Sequence, residues 1–224
     1  MTALDPPPPD FAELTLVTTE VAPSCLLRIT SAQHLLADPF RRSAEHRFDS
    51  PDASFGVLYA AFDLETAFVE TIVRAKAQPL PAGEPLLLDS TALASRRVVT
   101  LAAGSSTRSL RLVQLYGAGL SAAKTDNRIA SVDDYPTTQR WSKAFHDHPH
   151  NFDGIVYMSR YLGDHRSVAL FDRARAAVAF NDPLPLLHHP DLAALLDAYR
   201  VGVMPARGKG RKKKKRTKKH KKKK

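Results

Sequence analysis

Short blocks of apolar residues, separated by polar turns, predict strands and helices in mixed order along the chain. Runs of strand length occupy 24–30, 55–62, 84–90, 96–101, 153–159 and 167–171. Helical spacing or capping residues predict helices at 64–77, 107–117, 133–146 and 190–202. Two strands precede the first helix, and strands follow each helix except the last. This order favours an α+β fold, with a small, mostly antiparallel sheet core and flanking helices, over a regular βαβ series.

The positive charge is concentrated at one end of the chain. The formal net charge is +10, but residues 207–224 hold 14 of the 33 basic residues and no acid. The other 206 residues carry 19 basic and 23 acidic side chains, a net of −4. The charge therefore predicts a flexible Pro-rich leader (1–22), a mildly acidic domain (23–206) and a disordered polylysine tail (207–224), and it argues against a basic nucleic-acid-binding domain.

Few features of the sequence indicate the cellular compartment. Cys25 is the single cysteine, so no intrachain disulfide can form, and a lone thiol fits a reducing compartment. The acidic, proline-rich start lacks the basic and apolar regions of a signal peptide. No apolar run approaches the roughly 18 residues of a membrane span. We expect a cytoplasmic protein.

Two familiar motifs are better explained without a ligand. The stretch Gly117–Ala122 matches G-x-G-x-x-A, but a dinucleotide site needs a preceding strand, and the pattern here predicts a helix. A helix C-cap and turn is the preferred interpretation. His146, His148 and His150 could ligate a metal, but Pro149 interrupts their spacing and no cysteine accompanies them. We therefore predict a polar loop there and no metal site.

The stretch 46–71 carries Arg47 near its start, Tyr59 in its middle and Glu70 near its end, in a passage with a long apolar run. Glu70 lies beside the inward stripe of the predicted helix, and Arg74 four residues later offers an ordinary surface ion pair. Tyr59 fits a core residue with one hydrogen-bond partner, and Arg47 fits a surface charge. Residue types alone leave both this interpretation and a shared site open.

The order of short motifs resembles that of the RES domain family, which is named for its Arg, Glu and Ser. The resemblance runs from Leu26 to Phe171 and rests on "R" at 28, "RF" at 47–48, "LY" at 58–59, "TAFVE" at 66–70 and "FDGIVYMS…VALF" from 152. It implies a fold similar to that of ADP-ribosyltransferases. It also implies a toxin of a bacterial toxin–antitoxin pair that degrades NAD+.

The resemblance implies a role for each matching residue. The catalytic residues would be Glu70, Arg28 and Ser159, and the substrate-binding residues Arg47, Tyr59 and Ser167. Ser167 stands where relatives often carry Asn, which puts a ribose contact there in doubt. NAD+ would be the substrate, with no separate cofactor and with water or inorganic phosphate as acceptor. The implied partners are a cognate helix-turn-helix antitoxin and a second copy in a homodimer.

The implied roles suit the residue types. Breaking the nicotinamide–ribose bond develops positive charge on the sugar, which Glu70 would stabilise. Planar arginines at 28 and 47 suit a pyrophosphate, and Tyr59 offers a flat face to nicotinamide. Two alternatives stay open. One is an ADP-ribosyltransferase that modifies a protein. The other is a non-enzymatic module whose tail binds nucleic acid or an anionic surface weakly and without sequence preference.

Overall fold

The computed structural model describes residues 3–74 and 84–206, which form eleven strands and six α-helices. The strands are β1 Thr18–Val21, β2 Leu27–Ser31, β3 Val57–Ala61, β4 Leu86–Asp89, β5 Arg96–Ala103, β6 Leu110–Leu115, β7 Gly154–Met158, β8 Arg166–Phe171, β9 Val178–Phe180, β10 Leu184–Pro185 and β11 Val201–Met204. The helices are α1 Leu64–Phe68, α2 Ser90–Ala94, α3 Ala118–Ala122, α4 Arg128–Ser131, α5 Tyr135–Asp147 and α6 Leu192–Ala198.

Nine strands form one sheet in the order β1-β6-β7-β8-β3-β2-β5-β10, with β9 also paired to β5. Every pair in it is antiparallel except β6 with β7. β4 and β11 form a separate parallel pair. The predicted α+β class and the mostly antiparallel core are confirmed, although nine strands make a larger sheet than expected.

Strand β3 runs through the centre of the molecule and is covered on both faces. Val57 and Tyr59 pack in the cluster that includes Trp141 and Phe145 of α5. Leu58 and Ala60 point to the opposite face and a second cluster. Burial on both faces explains why this segment reads as a continuous apolar run and not as an alternating one.

The prediction of a helix at 107–117 is wrong, because Leu110–Leu115 form β6. This strand lies between β1 and β7, and its side chains enter clusters on both faces of the sheet. With both faces apolar, the period of two disappears from the sequence, and the pattern no longer separates a strand from a helix. A strand therefore does precede Gly117–Ala122, which removes the reason given above for rejecting a dinucleotide motif.

The two glycines of that motif nevertheless have local reasons. Gly117 has a φ of +52°, which glycine adopts without strain. A Cβ on Gly119 would lie 1.9 Å from the carbonyl oxygen of Gln114, so only glycine lets α3 approach β6 this closely. Helix α3 has five residues. The motif is explained by the turn from strand to helix.

The leader differs from the predicted flexible segment. Leu4, Phe11 and Leu16 are buried in the same cluster as α5. The ring of Phe11 meets Trp141 edge to face with centroids 5.4 Å apart, and the indole of Trp141 donates to the carbonyl of Asp5 at 2.8 Å. The four prolines, Pro6–Pro9, lie outside any strand and do not prevent apolar packing, whereas Thr18–Val21 of the same leader form β1 and pair with β6. The polylysine tail, 207–224, lies outside the described residues.

Candidate active site

Glu70 and Ser159 meet where α1 and β7 end. Asp63 caps α1 by accepting from the backbone N–H of Thr66 at 2.7 Å, as its sequence position predicts. The helix continues into a π-helical turn, Val69–Val73, which carries Glu70. Ser159 follows β7, and its Oγ donates to Glu70 Oε1 at 2.7 Å. Two residues far apart in sequence are thus in direct contact.

The loop after β7 holds Ser159 in place. The Ser159 N–H donates to the carbonyl of His165 at 2.8 Å, which closes the loop. Its Oγ also lies 3.3 Å from the N–H groups of Tyr161 and Leu162. The His165 ring lies 3.2 Å from Asp63 Oδ2, so the same loop is fastened to the start of α1. The serine and the glutamate are therefore positioned by two elements that are tied to each other.

Arg74 extends the contacts of Glu70. Its Nη1 lies 3.6 Å from Glu70 Oε2, which is the ion pair expected from helical spacing. Its Nη2 donates to the hydroxyl of Tyr135 at the start of α5. The surface-pair interpretation of Glu70 is therefore incomplete, because one carboxylate oxygen contacts Arg74 and the other accepts from Ser159. Residues beyond Arg74 in the predicted helix, up to Ala77, lie outside the described residues.

Arg47 is a buried cation, not a surface charge. Only 7% of the residue is exposed, and its Nη1 donates to the carbonyl of Val132. Its guanidinium lies 5.4 Å from the ring centroid of Tyr135, at cation–π distance. Burial lowers the pKa of Arg47 below its ordinary value. Within 3–74 and 84–206, no carboxylate forms an ion pair with it.

Tyr157 adds a hydroxyl close to Glu70, and the Ser167 hydroxyl forms a hydrogen bond with that of Tyr157. They are directly opposite each other on β7 and β8. Burial raises the pKa of Tyr157 well above its ordinary value, and the charge of Glu70 adds to that rise. Tyr157 is not among the site residues that the sequence predicted. The signal that could have found it is its position two residues before Ser159, which puts both on one face of a strand.

Tyr59 has its hydroxyl occupied within the protein. It donates to Asp49 Oδ1 at 2.9 Å and accepts from the N–H of Phe48 at 3.0 Å. Burial raises the pKa of Tyr59 strongly. These bonds hold the segment that carries Arg47. The hydroxyl is therefore structural, while contact of the ring with a nicotinamide stays a prediction.

Arg28 is separate from the Glu70 contacts. It follows the single residue pair, Leu27 with Ala61, that joins β2 to β3. Its Nε is buried and has no hydrogen-bond partner. Burial lowers the pKa of Arg28. A buried guanidinium nitrogen without a partner is unusual, and its N–H can donate to an anionic ligand. Within the described residues, no contact links Arg28 to Glu70 or Ser159.

The remaining candidates give no metal site. Among the described residues, no group of three or more His, Cys, Asp or Glu side chains is placed to hold a metal ion. The ring of His146 stacks on Phe55 with centroids 4.0 Å apart, and the His148 ring is buried beside Phe11.

In the part of the chain that the structure describes, no helix is long and apolar enough to span a membrane.

The chain belongs to the RES domain family. The family model matches residues 26–194, a span that contains every candidate site residue. The protein named "Probable toxin y4kH" of Sinorhizobium fredii is 28% identical over 113 residues, which are 50% of this chain and 88% of that protein. A chain of the crystal structure of the M. tuberculosis MbcT-MbcA toxin-antitoxin complex superposes with a TM-score of 0.58 and 16% identity. That match covers 86% of this chain and 98% of the other, and it shows that the two share a fold.

Proposed function

We propose that the protein is the toxin of a toxin–antitoxin pair and that it cleaves the nicotinamide–ribose bond of NAD+. Three findings support the toxin role: membership of the RES domain family, a relative named as a probable toxin, and a structural neighbour from a toxin-antitoxin complex. The reaction itself rests on the site. The observation that carries it is the Glu70–Ser159 hydrogen bond beside a group of arginines.

The proposed chemistry assigns a task to each residue. As the glycosidic bond breaks, the ribose gains positive charge, and the Glu70 carboxylate stabilises it. Ser159 and Arg74 orient that carboxylate from two sides. Nicotinamide leaves as a neutral molecule, so no general acid is required. Arg47, which is buried, and Arg28, whose Nε is buried, are the proposed cations for the pyrophosphate. The hydroxyls of Tyr157 and Ser167, which hydrogen-bond to each other, are the proposed contacts of the ribose or the nicotinamide amide.

The proposed reaction has three alternative acceptors for the ADP-ribosyl group. Water would give ADP-ribose, and inorganic phosphate would give ADP-ribose-1″-phosphate. A protein acceptor would make the enzyme an ADP-ribosyltransferase. Purified protein incubated with NAD+, with and without phosphate and with a cell lysate as the source of protein acceptors, tests all three by chromatography of the products and by transfer of label to protein. Free nicotinamide is the expected result, and its absence under every condition would leave only the non-enzymatic alternative.

The proposed partners follow from the family and from the charge. A cognate helix-turn-helix antitoxin would bind and silence the toxin, and a homodimer is the proposed assembly. The tail, 207–224, is proposed to give weak affinity for nucleic acid or anionic lipid through counterion release. Titration of a long RNA against the full chain and a chain ending at Ala206, at low and near-physiological salt, tests the tail. Equal binding by both would remove it from function.

A further inference from the structure

Three arginines from separate parts of the chain hold one short connection between α4 and α5. The strap is defined as this connection, residues 132–134, together with Tyr135, the first residue of α5. Arg47 precedes β3, Arg74 follows the π-helical turn, and Arg160 follows β7. They contact three different strap residues: Arg47 the carbonyl of Val132, Arg160 both carboxylate oxygens of Asp133, and Arg74 the hydroxyl of Tyr135.

The three arginines carry more positive charge than the carboxylates that pair with them can neutralise. In the described residues, only Asp133 and Glu70 form ion pairs with these arginines. Arg160 lowers the pKa of Asp133 chiefly by hydrogen bonding, and the charges of Arg47 and Arg74 add to the effect. Burial and the charge of Glu70 raise the pKa of Tyr157, and the charges of Arg47 and Arg74 offset part of that rise. Arg47, Arg74 and Arg160 therefore share neighbours, and the carboxylate of Asp133 is the negative charge that the strap contributes to them.

The Asp133–Arg160 pair can open without unfolding its surroundings. The Asp133 side chain is 76% exposed, and exposed ion pairs are weak. The next residue, Asp134, has a different task, since its Oδ1 accepts from the N–H of Thr137 at 3.2 Å and caps α5. The cap can therefore hold the start of α5 while the Asp133 carboxylate moves away from Arg160.

We propose that Asp133 occupies a diphosphate subsite made by Arg47, Arg74 and Arg160, and that a ligand must displace its carboxylate. Arginine binds carboxylate and phosphate with the same planar, bidentate geometry, so one can replace the other. A diphosphate carries more charge than one carboxylate and has several oxygens, so it can bind more than one arginine at once. Asp133 is then a built-in competitor that selects for diphosphate-containing ligands. The inference rests on the proposed function, because NAD+ supplies the diphosphate.

The test is a calorimetric titration of the full chain with ADP, which contains the diphosphate but no nicotinamide bond. Asp133→Asn should bind ADP about two- to fivefold more tightly than the natural protein, because an exposed competing ion pair is lost. Arg160→Gln should bind it about tenfold more weakly, because a charged donor is lost. The matched controls are Asp38→Asn and Arg175→Gln, which break an exposed bidentate pair of the same kind with both distances at 2.9 Å. These controls should leave the affinity unchanged.

Each result decides the inference. Unchanged or weaker ADP binding by a folded Asp133→Asn protein would overturn it, as would a complete lack of ADP binding by the natural protein. Equal tightening by Asp38→Asn would also overturn it, because the effect would then be one of general charge. Tighter binding by Asp133→Asn in a protein that releases no nicotinamide from NAD+ would uphold the subsite while rejecting the proposed reaction.

Discussion

Ser159 Oγ lies 2.7 Å from Glu70 Oε1, and this hydrogen bond joins the end of β7 to the π-helical turn after α1. The serine is 97% buried and is held by the loop that closes on His165. Neither residue stands out by itself in the sequence. Their contact is what converts two unremarkable polar residues into a candidate catalytic pair.

Replacing Ser159 with Ala should lower nicotinamide release about 10- to 100-fold, because a hydrogen bond to a charged group contributes about 1.5–3 kcal/mol. Steady-state rates at saturating NAD+ measure the loss. The matched control is Ser142→Ala, since the buried Ser142 hydroxyl donates to the carbonyl of Phe48 at 2.6 Å. The control should reduce stability without slowing the folded enzyme. Equal rates for the two variants would mean that Ser159 serves only the fold.

Replacing Arg28 with Met should separate stability from binding. The unpartnered Nε is destabilising by about 1–3 kcal/mol, so its removal should keep or raise the free energy of unfolding. NAD+ affinity should fall about tenfold, because a charged donor to phosphate is lost. Urea unfolding and calorimetric titration measure the two effects, with the exposed Arg41→Met as control. A less stable variant with unchanged NAD+ affinity would contradict the phosphate role.

Replacing His148 with Phe should flatten the pH dependence of stability. Burial lowers the pKa of His148 in the folded state, so protons bind more tightly to the unfolded chain. Stability is therefore lost as pH falls below about 6.5, at up to about 1.4 kcal/mol per pH unit from this residue. The Phe variant should lack that share of the loss.

Urea unfolding of the His148→Phe protein at pH 7.5 and pH 5.5 measures this difference, and the exposed His34→Gln serves as control. His146, whose pKa burial also lowers, should leave some dependence in both variants. The same loss of stability on acidification in His148→Phe as in His34→Gln would show that His148 contributes nothing to it.

The sequence was informative where local chemistry decides the structure. Asp63 caps α1 directly before the predicted helix start at 64, and α5, Tyr135–Asp147, lies close to the helix predicted at 133–146, with Pro136 in its first turn. The central strand β3 was predictable from its apolar run. Strand β6 was not, because burial on both faces erased its period. The packing of Phe11 on Trp141 was hidden as well, since it joins residues 130 positions apart.

The site was predictable in part and for a different reason. Helical spacing indicated the Glu70–Arg74 pair, and the family resemblance indicated Ser159. The partnership of Arg74 with Tyr135 and the place of Tyr157 depend on how α5 and β7 pack against α1, which no local pattern encodes. Tyr59 was assigned a ligand role from the family resemblance, whereas its residue type and strand position indicated a core residue, and its hydroxyl donates to Asp49.

The most direct test of the account is the rate of nicotinamide release from NAD+ by Glu70→Gln. The matched control is Glu45→Gln, whose carboxylate forms an exposed pair with Arg41, again four residues apart. Loss of the carboxylate charge should slow turnover about 10²–10³-fold with little change in KM and an unchanged thermal midpoint, because the charge acts on the transition state. The control should keep its rate. A well-folded Glu70→Gln protein that releases nicotinamide as fast as Glu45→Gln would contradict the catalytic role of Glu70.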